Sequence, residues 1–344
     1  MEVDCYQDES RAVTMQEDFK RHVRTQMYHI CQSAGMAEQW LEDLPTTRRG
    51  GSVAFLLLLL PNLTNLVISF NSSLDYVSTA MQLSLFPRLL TLRLVGDLYA
   101  EIQFPPILRL DSLRMFCADS LETQMWKICP GISFLHDLEV TDCEMGEEDI
   151  LPLLEACSEL RKFTFWWDQP WSDEDVLSEE LDYGIDVAPW IINGLQRSKA
   201  TLEVLDLSGR QPIRHDTMSL GNLTNFDRLH TLRVPAAMVI NPDSSFSGGR
   251  TLHMLPESLK TLHLIVGYVS RELILPSEVL DCVRCKSWGP ALKALTITWQ
   301  LMTIFHEEVS EICTMAEYQL FKDACEGRGI VFRFETLGNG HSAV

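Results

Sequence analysis

Apolar residues recur along the chain in one short pattern, L-x-x-L-x-L with conservative exchanges. It stands at Leu63/Leu66/Ile68, Leu89/Leu92/Leu94, Leu113/Phe116/Ala118, Leu135/Leu138/Val140 and Leu160/Phe163/Phe165. It returns at Leu202/Leu205/Leu207, Leu229/Leu232/Val234, Leu259/Leu262/Leu264 and Leu292/Leu295/Ile297. Successive starts are 26, 24, 22, 25, 42, 27, 30 and 33 residues apart. A strand turns alternate side chains to opposite faces. The fourth and sixth positions of each copy should therefore point inward, and the third, fifth and seventh outward. One copy cannot bury its own apolar residues, whereas stacked copies form a sheet with a continuous core behind it. Strands stacked in this way are parallel, and each parallel step needs a crossover, usually helical.

The intervals supply those crossovers. Ile150, Leu153, Leu154 and Cys157 fall on one helical face, behind the acidic start Glu147, Glu148 and Asp149, which complements the helix dipole. The segments 76–85, 187–195 and 279–285 are expected to play the same part. Pro61, Pro87 and Pro256 stand just before a strand, where proline ends a helix and turns the chain. Most intervals lie near the period of about 20–29 residues typical of leucine-rich repeats. The expected fold is thus α/β, a leucine-rich repeat solenoid. Its parallel sheet would line the concave face, its mainly helical crossovers the convex face, and a helix would cap its N-terminus. The boundaries read as a mobile tail over 1–18, a helical cap over 19–50, repeats over 51–313, a cap of helix plus edge strand over 314–335, and a tail over 336–344. Two copies reach the longer consensus ending in Asn or Cys, at Asn71 and Cys143. That predicts an irregular array.

Three stretches carry a family resemblance: Cys31 to Trp40 (CQSAGMAEQW), Ala54 to Leu66 (AFLLLLLPNLTNL) and Ala324 to Phe332 (ACEGRGIVF). Together they resemble the filamentous-fungal leucine-rich repeat proteins of the F-box type, over roughly residues 20 to 335. In that family an F-box recruits a cullin-type ubiquitin ligase and the repeats choose the substrate. Residues 1–50 contain no L-P-x-E-(I/L) segment followed by an apolar run; Leu44-Pro45 leads into Thr46, Thr47, Arg48 and Arg49. The resemblance therefore implies a member with no recognisable F-box. A divergent F-box within residues 1–50 would make the chain a ubiquitin-ligase adaptor.

Charge narrows the partners. The chain has 344 residues, 48 Asp plus Glu against 28 Lys plus Arg, and a formal net charge of -20. Phosphate backbones and anionic lipid would repel such a chain, so neither nucleic acid nor a membrane surface is expected as partner. The acidic first 25 residues do not read as a signal or transit peptide. The apolar run from Val53 to Leu60 is too short to span a bilayer, which needs about 20 residues. Ten cysteines without an export signal read as reduced thiols. A cytoplasmic or nuclear location is expected, and the sequons at Asn62, Asn71 and Asn222 read as chance.

No cluster of residues suggests catalysis. Cys282 and Cys285 form a C-x-x-C with no second pair to complete a zinc site. His306-Glu307-Glu308 lacks the second histidine of H-E-x-x-H, and no phosphate-binding loop or G-x-S-x-G is present. The chain is expected to be no enzyme and to need no cofactor or metal. The expected function is a non-catalytic protein-interaction module. Two surfaces compete for the partner. One is the outward sheet face, whose candidate contacts are Arg93, Glu139, Lys162, Asp206, Arg233 and His263. The other is the long interval between Leu160 and Leu202, which holds Trp166, Trp167 and Trp171 before an acidic run. From Asp142 to Asp186 there are 15 carboxylates, opposed only by Arg161 and Lys162. Aromatic rings rimmed by carboxylates suit a basic protein partner.

Overall fold

The computed structural model describes residues 2–3, 25, 60, 62–69, 86–96, 108, 110–120, 133–143, 145, 147–167, 187–209, 220–239, 255–267, 280, 291–300 and 315–337. The chain divides into two compact units. The first comprises residues 1–135 and 143–157, the second residues 136–142 and 158–344.

In the first unit β1 (Glu2–Val3), β2 (Asn65–Ser69), β3 (Thr91–Val95) and β4 (Met115–Asp119) pair in parallel and in chain order. The second unit runs β5 (Asp137–Thr141), β6 (Lys162–Trp167), β7 (Val204–Gly209), β8 (Thr231–Pro235), β9 (Thr261–Gly267), β10 (Ala294–Gln300) and β11 (Val331–Leu337). These too are parallel and in chain order. The register aligns equivalent positions of the sequence pattern: Leu138 faces Phe163, Phe163 faces Leu205, and Leu205 faces Leu232. In all nine copies the fourth and sixth positions are buried. Fully burying a leucine or phenylalanine is worth about 1.5–3 kcal/mol, so each copy holds its inward face firmly.

A backbone motif repeats with the strands. The carbonyl at the second position of a copy accepts two N–H groups, from the second and third positions of the next. His136 O accepts from Arg161 and Lys162 at 2.7 and 2.9 Å, Arg161 O from Glu203 and Val204 at 2.7 and 3.0 Å, and His230 O from Lys260 and Thr261 at 2.9 Å each. A hydroxyl just before the first leucine adds a second tie. Ser258 Oγ donates to Leu229 O at 2.8 Å, Thr201 Oγ1 to Leu160 O at 2.8 Å, and in the first unit Ser112 Oγ to Leu89 O at 2.9 Å. Each supplies a donor to a carbonyl at the point where the chain enters the sheet.

The crossovers are helical where expected at two places. Helix α1 (Glu147–Ala156) packs in the first unit with Ile150, Leu153 and Leu154 buried, and Cys157 follows, equally buried. Helix α2 (Val187–Gly194) lies in the second unit and continues into a tight turn over Leu195–Arg197. Between β8 and β9 a short turn over Ala236–Met238 follows the strand directly. At the end of the chain helix α3 (Met315–Glu326) packs on β11, with the rings of Phe321 and Phe332 stacked at 5.7 Å. Among the described residues no helix is long and apolar enough to cross a membrane.

Three expectations change. The start of the tail expected over 1–18 is a strand: Glu2 and Val3 pair with Val67 and Ile68. Two residues carry no periodicity, so only the neighbouring strand reveals it. Strand β11 runs to Leu337, past the boundary at 335, because Trp299 and Gln300 of β10 still offer it backbone partners. Several outward positions are also buried, among them Ser208, Ile265 and Thr298. Two of them sit beside a large or charged side chain in register: Ser208 beside Trp166, Thr298 between Ile265 and Glu335. The cap expected over 19–50 lies outside the described residues, apart from Thr25. So do the helix expected over 76–85 and, apart from the buried Leu280, the one over 279–285.

Candidate functional site

On the second unit the fifth positions form a row in register: Glu139, Thr164, Asp206, Arg233, His263, Thr296 and Arg333. Strands stand about 4.8 Å apart, so each step along the row is that long. The seventh positions make a parallel row, including Thr141, Trp166, Ser208, Ile265, Thr298 and Glu335. Alternation along each strand is what aims these side chains to one side.

The centre of the row is a charged pair. Arg233 Nη1 lies 3.6 Å from Asp206 Oδ2, and Ser208 Oγ donates to Asp206 Oδ1 at 3.1 Å. Burial pushes the Asp206 carboxyl above its ordinary range. Arg233, the Ser208 hydroxyl and Lys162 oppose that rise, and Glu139 adds to it. Desolvation wins because a partly buried carboxylate loses more hydration than one loose ion pair returns.

Beside it runs a relay across three strands. His263 Nε2 bonds Thr298 Oγ1, and Thr298 Oγ1 donates to Glu335 Oε2 at 3.5 Å. Burial and the neighbouring Arg233 push the imidazole down to about 4, with Glu335 pulling the other way, so the ring is neutral near pH 7. With Thr298 donating to the Glu335 carboxylate, its oxygen is free to receive the Nε2 proton of His263. That leaves Nδ1 as the lone-pair nitrogen.

Three polar atoms on the same face are buried without a hydrogen-bond partner: Thr164 Oγ1, Trp166 Nε1 and Arg233 Nε. The side chains that carry them are each partly exposed. Leaving a buried polar atom unmet costs about 1–3 kcal/mol, so three on one face among the described residues stand out.

Of the residues expected from sequence, Glu139, Lys162, Trp166, Asp206, Arg233 and His263 share this face. Arg93 belongs to the first unit, where its Nη2 lies 3.2 Å from Asp119 Oδ2. Trp167 is the last residue of β6, in register with Gly209. Trp171 and the acidic run from Asp173 to Asp186 lie outside the described residues, as do Cys282 and Cys285. Sequence reasoning read Thr164 as an outward position of this face and passed over Glu335. The alternation of β11 would have placed Glu335 on the outward side, but nothing local ties it to a histidine 72 residues earlier. Among the described residues no group of His, Cys, Asp or Glu could hold a metal ion.

No protein-family model and no curated protein matches the chain.

Proposed function

We propose that the chain is a non-catalytic protein-binding module of the leucine-rich repeat type, and that the outward sheet face of its second unit holds the partner. The three buried polar groups without partners, Thr164 Oγ1, Trp166 Nε1 and Arg233 Nε, carry this reading. A folded domain rarely leaves such groups unmet, and a partner that supplies acceptors recovers their cost. The repeat type is supported by nine copies of the L-x-x-L-x-L pattern, each with its fourth and sixth positions buried.

A photo-crosslinking amino acid placed at Thr231 or Thr261, outward and partly exposed, tests the reading against one placed at Glu159 outside the strands. In the native cell the two face positions should capture the same protein and Glu159 should not. Equal capture at all three, or none at the face, would overturn the assignment.

A further inference from the structure

The functional reading above names a face; the hydrogen-bonding groups on that face say what fits it. We infer that Trp166, Arg233 and His263 form a subsite for the backbone amides of an extended, uncharged peptide segment of the partner, an inference that rests on the binding-module reading.

The groups divide into donors and one acceptor. Trp166 Nε1–H and Arg233 Nε–H can only donate, and both lack a partner. Thr164 Oγ1 can do either and also lacks one. With Thr298 donating to Glu335, the imidazole proton sits on Nε2 and Nδ1 is an acceptor. A peptide bond offers the complement, a carbonyl oxygen for the donors and an N–H for the histidine. The neutral imidazole keeps that acceptor at physiological pH, since its protonation falls to about pH 4.

Charge on the face argues against either kind of ion. Glu139, Asp206 and Glu335 would repel a carboxylate; Lys162, Arg233 and Arg333 would repel an ammonium or guanidinium group. The signs nearly cancel, which leaves a neutral dipole as the best match. Length fits as well. From Thr164 to His263 is three register steps, about 14 Å, which an extended chain rising about 3.4 Å per residue crosses in about four residues. The donor atoms are buried in the free chain, although their side chains are partly exposed, so binding requires those side chains to rotate.

The probe is the capped peptide acetyl-tetraalanine N-methylamide, with acetate and methylammonium as charged comparators. Each is titrated into the full chain while the Trp166 indole N–H and the His263 ring nitrogens are followed by nitrogen-15 NMR. The capped peptide should shift both residues saturably, at least tenfold more tightly than either ion. Arg233→Lys, which keeps the charge and removes the Nε–H, should weaken it at least fivefold. Thr298→Val, which frees the imidazole to change tautomer, should do the same. No saturable shift with the peptide in the unsubstituted chain overturns the inference, as does a tighter response to acetate or methylammonium. A third result would also overturn it: deleting residues 168–186 moves both signals in the absence of peptide, which would make this chain's own insert the occupant. If the face crosslinks a partner and the peptide titration is blank, the subsite falls and the binding module stands. If the peptide titrates and crosslinking fails, the face binds amides but the binding-module reading falls, and with it the assignment of the subsite to a partner.

Discussion

Arg233 Nη1 sits 3.6 Å from Asp206 Oδ2 on the neighbouring strand, and the two residues are register partners at the centre of the outward face. The pair does not offset the burial of the carboxylate, whose proton affinity is raised. A raised carboxyl favours the folded state below its ordinary value of 3.8, and that contribution is lost as pH rises through the folded value. At pH 7 the ionised Asp206 is therefore a net burden. Asp206→Asn should match or exceed the parent in melting temperature at pH 7, with the difference shrinking towards pH 4. Arg233→Ala should destabilise at pH 7 by about 1–3 kcal/mol, because it strands the carboxylate. A less stable Asp206→Asn variant at pH 7 would show that the ion pair outweighs desolvation.

His263 carries the opposite sign. Its folded value, about 4, lies below its ordinary 6.5. The unfolded chain therefore binds the proton first, and this site's contribution to stability is whole above 6.5 and lost as pH falls towards 4. Melting curves from pH 7 to pH 4 should fall less steeply for His263→Gln than for the parent. Parallel curves would mean that the imidazole is not buried neutral.

The register predicts unequal costs for inward and outward positions of the sheet. Leu205 is fully buried, and Leu205→Ala should cost about 2–5 kcal/mol in chemical denaturation. Lys162, outward and exposed, should tolerate alanine within about 0.5 kcal/mol. The hydroxyl ties lie between these: Ser258→Ala removes the one hydroxyl donor that faces Leu229 O at 2.8 Å and Phe226 O at 3.3 Å and should cost about 1 kcal/mol.

Cys157 is fully buried, and burial pushes its thiol up to about 12 despite a bond from Ser133. Cys325 is buried too and pushed up to about 11. The thiolate is the reactive form. Native protein treated with iodoacetamide at pH 8 should therefore leave both unlabelled by peptide mass spectrometry, and both should label after unfolding. Labelling of Cys157 at the native rate of a surface thiol would contradict its burial.

The acidic insert and the tryptophans should separate kinetically once a partner is in hand. Neutralising Asp173, Glu174 and Asp175 should slow association with a basic partner, and the effect should fade as salt screens charges over about 8 Å. Trp166→Ala or Trp171→Ala should instead speed dissociation, costing about 2 kcal/mol if the ring anchors the complex. A Trp171→Ala variant that melts earlier yet binds unchanged would place that ring in packing rather than recognition.

Much of the fold was legible from residue order. The inward leucines, the parallel pairing, the helical face of Ile150, Leu153 and Leu154, and the closing helix and strand all follow from periods of two or 3.6, which are local properties. Strand β1 was not legible, because Glu2–Val3 is defined only by the strand it joins. Nor was the burial of Ser208 and Thr298, which depends on the size of their cross-strand neighbours.

Sequence alone determined which side chains face outward, and with them the candidates Glu139, Lys162, Trp166, Asp206, Arg233 and His263. Tertiary structure decided which of these meet. Asp206 reaches Arg233 across 27 residues of chain, and His263 reaches Thr298 across 35 and through it Glu335 across a further 37. Those distances are set by crossover lengths, which vary from copy to copy, while the backbone ladder holds the strands in register whatever lies between them. A repeating pattern can therefore announce a face. The hydrogen bonds on it, and the three buried polar atoms left without one, exist only once the strands are stacked.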